Sequence, residues 1–207
     1  MKFETQCKVC RREGKKLFLK GERCNTVKCT LVKKKYPPGM HGPKGYPRLS
    51  DYGRQLREKQ QLRHSYFLSE KQFKNYFRKA KDMTGNSEEN FLKLLEKRLD
   101  NVVFRAGFAE SRKKARQLVT HGNILVNGRR VDVPAYSVKI SDTVKLKEKK
   151  LIIERAKEQF AKKSKESFPA WMSVDDKKLE TKILKDPGQE DLPREYEMEL
   201  IVGFYSR

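Results

Sequence analysis

Residues Lys97 to Val131, KRLDNVVFRAGFAESRKKARQLVTHGNILVNGRRV, decide the fold. They read as two short helices followed by a tight β-hairpin. In the first helix Leu99, Val102, Val103 and Ala106 fall at helical spacing and form one apolar stripe. Gly107 stops it. Ser111 suits the N-cap of the second helix, and Gly122 suits a left-handed end. Along that helix Ala115, Leu118 and Val119 point one way, so Arg112, Lys113 and Arg116 are expected to project from the remaining surface. Ile124 and Val126 then alternate with their neighbours. Asn127-Gly128 is a two-residue hairpin turn, after which Arg129, Arg130 and Val131 return. The product is a small module with an apolar back and a cationic front. His121, Asn123, Asn127 and Arg129 continue that front, which suits the phosphates of RNA.

Composition points the same way. Among 207 residues, 49 Lys and Arg face 27 Asp and Glu, a formal charge of +22. Such an excess opposes compaction and favours a polyanionic partner. Only 36% of residues are hydrophobic, so cores should be small. No apolar run approaches the ~20 residues of a membrane span. Met1 to Gln6 lack the apolar stretch of a secretory signal, so a reducing compartment is expected. The charge is uneven. Residues 1–48 hold 14 basic and 3 acidic side chains, whereas residues 175–207 hold 6 basic and 9 acidic. The amino end should therefore sit deepest in phosphate, and the carboxyl end should pack on protein.

All four cysteines fall early, as Cys7-x2-Cys10 and Cys24-x4-Cys29. Two close pairs across a short loop suit one tetrahedral Zn²⁺, each pair supplying two thiolates. The surrounding segment has too few apolar residues to fold on burial alone, so a metal staple is physically reasonable. Free buried thiols and two disulfides are the alternatives, and His41 could replace one ligand. Four thiolates leave no open position for catalysis.

Residues 33–47, KKKYPPGMHGPKGYP, forbid helix and sheet interior and read as an extended strap. Its cations and aromatics are interleaved in the manner used on RNA. Arg11, Arg12, Lys33, Lys34, Lys35, Tyr36, His41, Lys44 and Arg48 are its candidate contacts, with Tyr46 as a further stacking ring. Ser50 can cap a following helix whose Tyr52, Arg54, Arg57, Gln60 and Gln61 extend the candidate surface. Ser69 can cap the next, with Phe73, Tyr76, Phe77 and Ala80 as its stripe; Ser87 can cap a third, with Phe91, Leu94 and Leu95.

These stretches carry a resemblance. The four-cysteine start with RREGKKLFLKGERC, the strap YPPGMHG, the helix DYGRQLREKQ, the central stretch and the ending LIVGFYSR resemble the bacterial small-subunit ribosomal protein four family in its zinc-bearing form. Asn123 stands where that family commonly has histidine, and Gly203 where it commonly has an acidic residue. The resemblance implies an α+β protein in three parts. Residues 1–48 form a zinc-bound module and strap. Residues 49–96 with 175–207 form a discontinuous helical domain. Residues 97–174 form an inserted RNA-binding domain of helices plus a short antiparallel sheet. It implies direct binding of 16S rRNA early in assembly of the small ribosomal subunit, in the cytoplasm. It also implies ribosomal proteins five and three as neighbours, a place near incoming mRNA, an influence on decoding accuracy and, in some bacteria, repression of the protein's own messenger.

Beyond the hairpin, Tyr136, Val138 and Ile140 alternate as a strand, Ser141-Asp142 turns, and Val144 and Leu146 alternate again. A basic amphipathic helix starts at Leu151, Trp171 reads as a core anchor, and Leu179 to Leu184 alternate as a strand. Asp186, Glu190, Asp191, Glu195, Glu197 and Glu199 make an acidic stretch fitted to a basic protein. His41, His64 and His121 are scattered, and no catalytic constellation, phosphate loop or small-molecule site stands out. An RNA-modifying enzyme such as a pseudouridine synthase could share the central module but needs a catalytic domain for which there is no room. A free RNA chaperone is the weaker alternative.

Overall fold

The structure, a computed structural model, describes residues 5–161 and 168–206. The chain forms two compact units. Residues 1–78 with 194–207 make the first, and residues 79–193 the second.

The first unit begins with α1 (Gln6–Glu13), which ends in a left-handed Gly14, and a short α2 (Thr30–Lys33). Val9, Cys10, Leu17 and Leu19 bury against Phe67. Phe67 follows α3 (Asp51–Ser65), so the amino-terminal segment is seated on that helix and is not a free tail. Arg57 of α3 reaches Glu13 at 3.1 Å, and Lys15 reaches Glu58 at 3.6 Å. Ser50 caps α3 by accepting from the Gly53 N–H. Ser69 caps α4 (Glu70–Lys81) by accepting from Gln72 N–H, and Gln72 Oε1 accepts in return from Ser69 N–H. The last helix, α9 (Met198–Tyr205), returns onto α3 and α4. Tyr205 stacks on Phe77 at 4.7 Å and donates to Glu70, whose carboxylate also takes Lys59 at 2.6 Å. Tyr196 donates to Ser65 Oγ at 2.7 Å. The ends of the sequence thus build one helical core around Leu62, Leu68, Phe73 and Ile201, all fully buried.

The second unit holds α5 (Ser87–Glu96), α6 (Leu99–Arg105), α7 (Arg112–Thr120), α8 (Lys150–Ala161) and one antiparallel sheet. Its strands are β1 (Ile124–Val126), β2 (Arg129–Arg130), β3 (Thr143–Leu146), β4 (Met172–Asp175) and β5 (Glu180–Ile183), in the order β2-β1-β3-β5-β4. Asn127 and Gly128 both have positive φ, 49° and 77°, the twist a two-residue hairpin needs. One core joins the stripe of α6, Ala115 and Val119 of α7, the inward residues of the strands, and Trp171.

Three expectations need correction. Asn86, not Ser87, caps α5, its Oδ1 accepting from the Glu88 N–H at 2.9 Å. Residues 134–140 form no regular strand, and Ile140 is exposed. The reason is the start of α6, which has no side-chain cap. Its orphan Leu99 and Asp100 N–H groups donate to the carbonyls of Tyr136 and Pro134, so this segment serves as a helix cap. Residues 175–193 belong with the sheet and not with the helical core, because β5 pairs with both β3 and β4 and buries Ile183. The helix from Leu151 is described through Ala161; its expected continuation lies outside the described residues.

Candidate nucleic-acid interface

In the second unit a buried polar network fixes the arginines of the central module. Glu96 is fully buried and accepts two bonds from Arg105, at 3.0 and 2.7 Å, and one from Asn101 Nδ2 at 2.8 Å. Asn101 Oδ1 accepts from Arg112 Nε at 2.8 Å, and the Arg112 guanidinium lies 4.8 Å over the Phe104 ring. Beside it, Arg98 grips Asp100 with two bonds at 3.0 and 2.6 Å, and Arg116 approaches the same carboxylate at 3.5 Å. Burial pushes the Asp100 carboxyl up despite these cations. Two carboxylates thus organise four guanidinium groups, leaving excess positive charge with restricted rotamers. Arg112 and Arg116 lie on the face away from Ala115 and Val119, half-buried and braced from beneath, while Lys113 is exposed.

On the hairpin, Arg129 is exposed, as is His121 at the end of α7. Asn123 is buried, whereas Asn127 is exposed but has its amide engaged in the turn. Asn127 Nδ2 donates to Asp142, while its Oδ1 accepts from Thr143 N–H, locking the turn to β3. Sequence reasoning passed over Arg130. It is exposed, and its guanidinium crosses Gly122, where an added Cβ would meet Nε at 2.1 Å. The glycine is required by its φ of +64°; the overlying Arg130 side chain is flexible and could move aside. The adjacent Arg129-Arg130 pair was the available signal.

In the first unit the strap is folded, with a single 3-10 turn at Gly42–Lys44. Arg11 pins it, donating to the carbonyls of Tyr36 at 2.9 Å and Pro37 at 3.0 Å while lying 4.8 Å over the Tyr36 ring. Tyr46 donates to the Arg11 carbonyl at 2.7 Å. Arg11 and Tyr36 therefore hold the strap, and both are half-buried. Arg12, Lys33, Lys34, Lys35, His41, Lys44 and Arg48 are exposed. On α3, Tyr52 is exposed and tilted against Phe204, and Arg54 pairs with Asp51. Arg57 is committed to Glu13 and Gln60 to Arg63, and Gln61 is buried. Burial with Arg63 and Arg57 alongside pushes His64 down to about 4, so it is neutral at physiological pH.

Glu13 offers a pH signature. Burial outweighs its pairing with Arg57 and raises its carboxyl from 4.5 to about 7. Between these values the folded protein holds a proton that the unfolded chain has lost. Stability is therefore complete below about 4.5 and falls as pH rises towards 7. Glu13→Gln should remove on the order of 2–3 kcal/mol of that decline. Denaturant midpoints of parent and variant between pH 4.5 and 8 would measure it, and parallel profiles would disprove it.

Cys7, Cys10, Cys24 and Cys29 are unbridged and line one cavity of about 20 Å³. This is room for one water-sized species. Among the described residues no three His, Cys, Asp or Glu side chains are drawn into metal-holding geometry. Four thiols around one small cavity are the donor type a thiophilic ion takes, whereas His41 lines a different cavity. Burial pushes the Cys10 thiol up to about 11 and Cys24 up as well.

Residues 2–96 match the family described as Ribosomal protein S4/S9 N-terminal domain, and residues 97–144 match the S4 domain. The class is thus an S4-domain protein with a ribosomal-type amino-terminal domain. The chain is 47% identical to the Small ribosomal subunit protein uS4 of Thermodesulfovibrio yellowstonii, 49% to that of Halothermothrix orenii and 48% to that of Thermus thermophilus. Each similarity runs over 201 residues, 97% of this chain and 96% of the relative. The chain belongs to the uS4 family of small ribosomal subunit proteins.

Proposed function

We propose that this protein is a structural, non-enzymatic component of the small ribosomal subunit that binds 16S rRNA directly. The observation that carries the reading is the near-full-length similarity to proteins named uS4. The exposed cations of the strap and the braced arginines of α7 supply the chemistry, since phosphate contacts dominate affinity for RNA. The same reading gives it a role early in subunit assembly and in decoding accuracy, a place near incoming mRNA, and a cytoplasmic location within the ribosome. Repression of its own messenger would use the same surface. Exposed Glu190, Glu195, Glu197 and Glu199 suit a basic neighbour, with ribosomal protein five the leading candidate and protein three another. Asp186 is already paired with Lys97, and Asp191 accepts from the Gly188 N–H. The test is recovery of the chain in small subunits washed in high salt, at one copy per 16S rRNA. A chain that stays in the ribosome-free fraction would refute the reading.

The four cysteines hold one structural Zn²⁺ in this proposal. The ion supplies a cross-link between α1 and the loop before α2 and no reaction chemistry. Because burial keeps Cys10 and Cys24 protonated, loading should release protons and weaken steeply as pH falls. Elemental analysis of freshly purified protein should give near-equimolar zinc. Chelation should lower helix content in the first unit, because that segment is seated on Phe67 of the α3 end. Metal-free protein with unchanged unfolding after chelation would remove the idea.

A further inference from the structure

In the second unit a groove of about 650 Å³ lies between the end of β3, the first turns of α8 and the turn joining β4 to β5. Buried Leu146 and Leu179, with half-buried Ile153, make its apolar lining. Lys150, Lys157, Lys177 and Lys178 also line it, are exposed, and form no ion pair among the described residues. Five lysines and three glutamates line the groove in all, so it is net cationic. Two of the carboxylates gather at the fifth lysine: Glu148 pairs with Lys145 at 3.1 Å, and Glu180 faces Lys145 across the β3–β5 register. Glu154 sits on α8 between Lys150 and Lys157, at helical spacing from both. The turn that carries Lys177 and Lys178 is built. Asp175 Oδ1 accepts from the Lys177 N–H at 2.9 Å and the Lys178 N–H at 3.0 Å. Leu179 then takes a φ of +51°, which a leucine rarely adopts, and its carbonyl accepts from the Leu146 N–H at 3.2 Å. Such strain persists only where the surrounding structure holds it, and it clusters at functional sites. Here it buries Leu179 in the core and leaves the two lysines before it outside. The groove also adjoins the cationic front. Lys147, just past β3, donates its N–H to the Asn123 carbonyl at 2.9 Å, beside His121 and the Gly122 that Arg130 crosses.

We propose that this groove is a second RNA site of the central module, holding the sugar–phosphate backbone of a strand that continues from the α7 front, with phosphates on Lys150, Lys157, Lys177 and Lys178. The inference rests on the RNA-binding reading. No aromatic ring is among the lining residues, so the groove offers no stacking platform for bases. Its contacts therefore position the strand without reading its sequence. An acidic peptide would meet the same lysines. Continuity with the His121 and Arg130 edge favours the longer polyanion, because one strand can then engage both surfaces.

The test uses the full chain and a 16S rRNA fragment. Changing Lys150, Lys157, Lys177 and Lys178 together to glutamine should lower the slope of log affinity against log salt by roughly 3, and each pair alone, Lys150 with Lys157 or Lys177 with Lys178, by about half of that. Circular dichroism and melting should match the parent, since the four side chains are exposed and unpaired. Hydroxyl-radical footprinting at saturating protein should show one run of backbone protection lost in the fourfold variant and the rest kept. Replacing the bases in that run while keeping the strand's fold should leave the parent's affinity unchanged. A folded fourfold variant with the parent's slope and footprint overturns the proposal. So does binding of polyglutamate that is lost in the variant while its RNA slope stays at the parent's value, which would assign the groove to an acidic protein segment. In both cases the RNA-binding reading stands, because the fragment still binds. A parent chain that binds no rRNA fragment at low salt would instead defeat that reading, and the groove's role with it.

Discussion

Replacing Glu96 with alanine should destabilise the second unit by about 3–5 kcal/mol, the range for breaking a buried ion pair from one side. Glu96 is fully buried at the end of α5, and its two oxygens take three side-chain bonds, two from Arg105 and one from Asn101. Alanine leaves the Asn101 amide without that acceptor and the Arg105 charge uncompensated beside a low-dielectric core. The loss spreads, because Asn101 in turn orients Arg112. Melting should drop by on the order of 10–20 °C. Glu96→Gln, which keeps one acceptor oxygen and the shape, should cost distinctly less. Thermal unfolding of both variants, with hydrogen exchange resolved along residues 79–193, would check this. A Glu96→Ala protein that melts within 3 °C of the parent would show that the network is solvated and contributes little.

This network also marks where reading the sequence stops. The caps of α3, α4 and α7, the stripe of α6 and the Asn127-Gly128 turn are local features, set by residues within a few positions of one another. They were legible for that reason. The return of the carboxyl-terminal helix came only through the resemblance, since nothing local ties Tyr196 to Ser65 or Tyr205 to Glu70. Polar side chains were the systematic difficulty. Arg11, Asn123, Asn127 and Gln61 share their composition with phosphate-binding residues. Whether each faces water or the interior depends on partners that are remote or follow from the fold: the Tyr36 and Pro37 carbonyls for Arg11, Asp142 for Asn127. The strand misplaced over residues 134–140 has the same origin. Its alternation was real, but the orphan N–H groups of α6 had the stronger claim on its carbonyls. The sheet boundary moved because β5 pairs with β3 across more than thirty residues, a register that no periodicity encodes.

The five exposed cations of the strap region, Lys33, Lys34, Lys35, Lys44 and Arg48, should govern the salt dependence of RNA binding. Deleting residues 1–48 would be a poor test, because it would strip Phe67 of its cover and leave Arg57 and Glu58 without Glu13 and Lys15. Changing the five to glutamine removes charge without touching that packing. Isolated surface substitutions usually shift stability by no more than about 0.5 kcal/mol, so melting should be nearly unchanged. If each cation neutralises one phosphate, the slope of log affinity against log salt should fall by roughly 3.5 to 4.5, and affinity near physiological salt by about 10³-fold. Partial engagement would scale both numbers together, which is the diagnostic. The measurement is affinity for a 16S rRNA fragment across a salt series, parent against variant. A folded variant whose affinity drops at every salt concentration with an unchanged slope would assign the loss to something other than phosphate contact. One that binds as tightly as the parent would place the electrostatic footprint elsewhere on the chain.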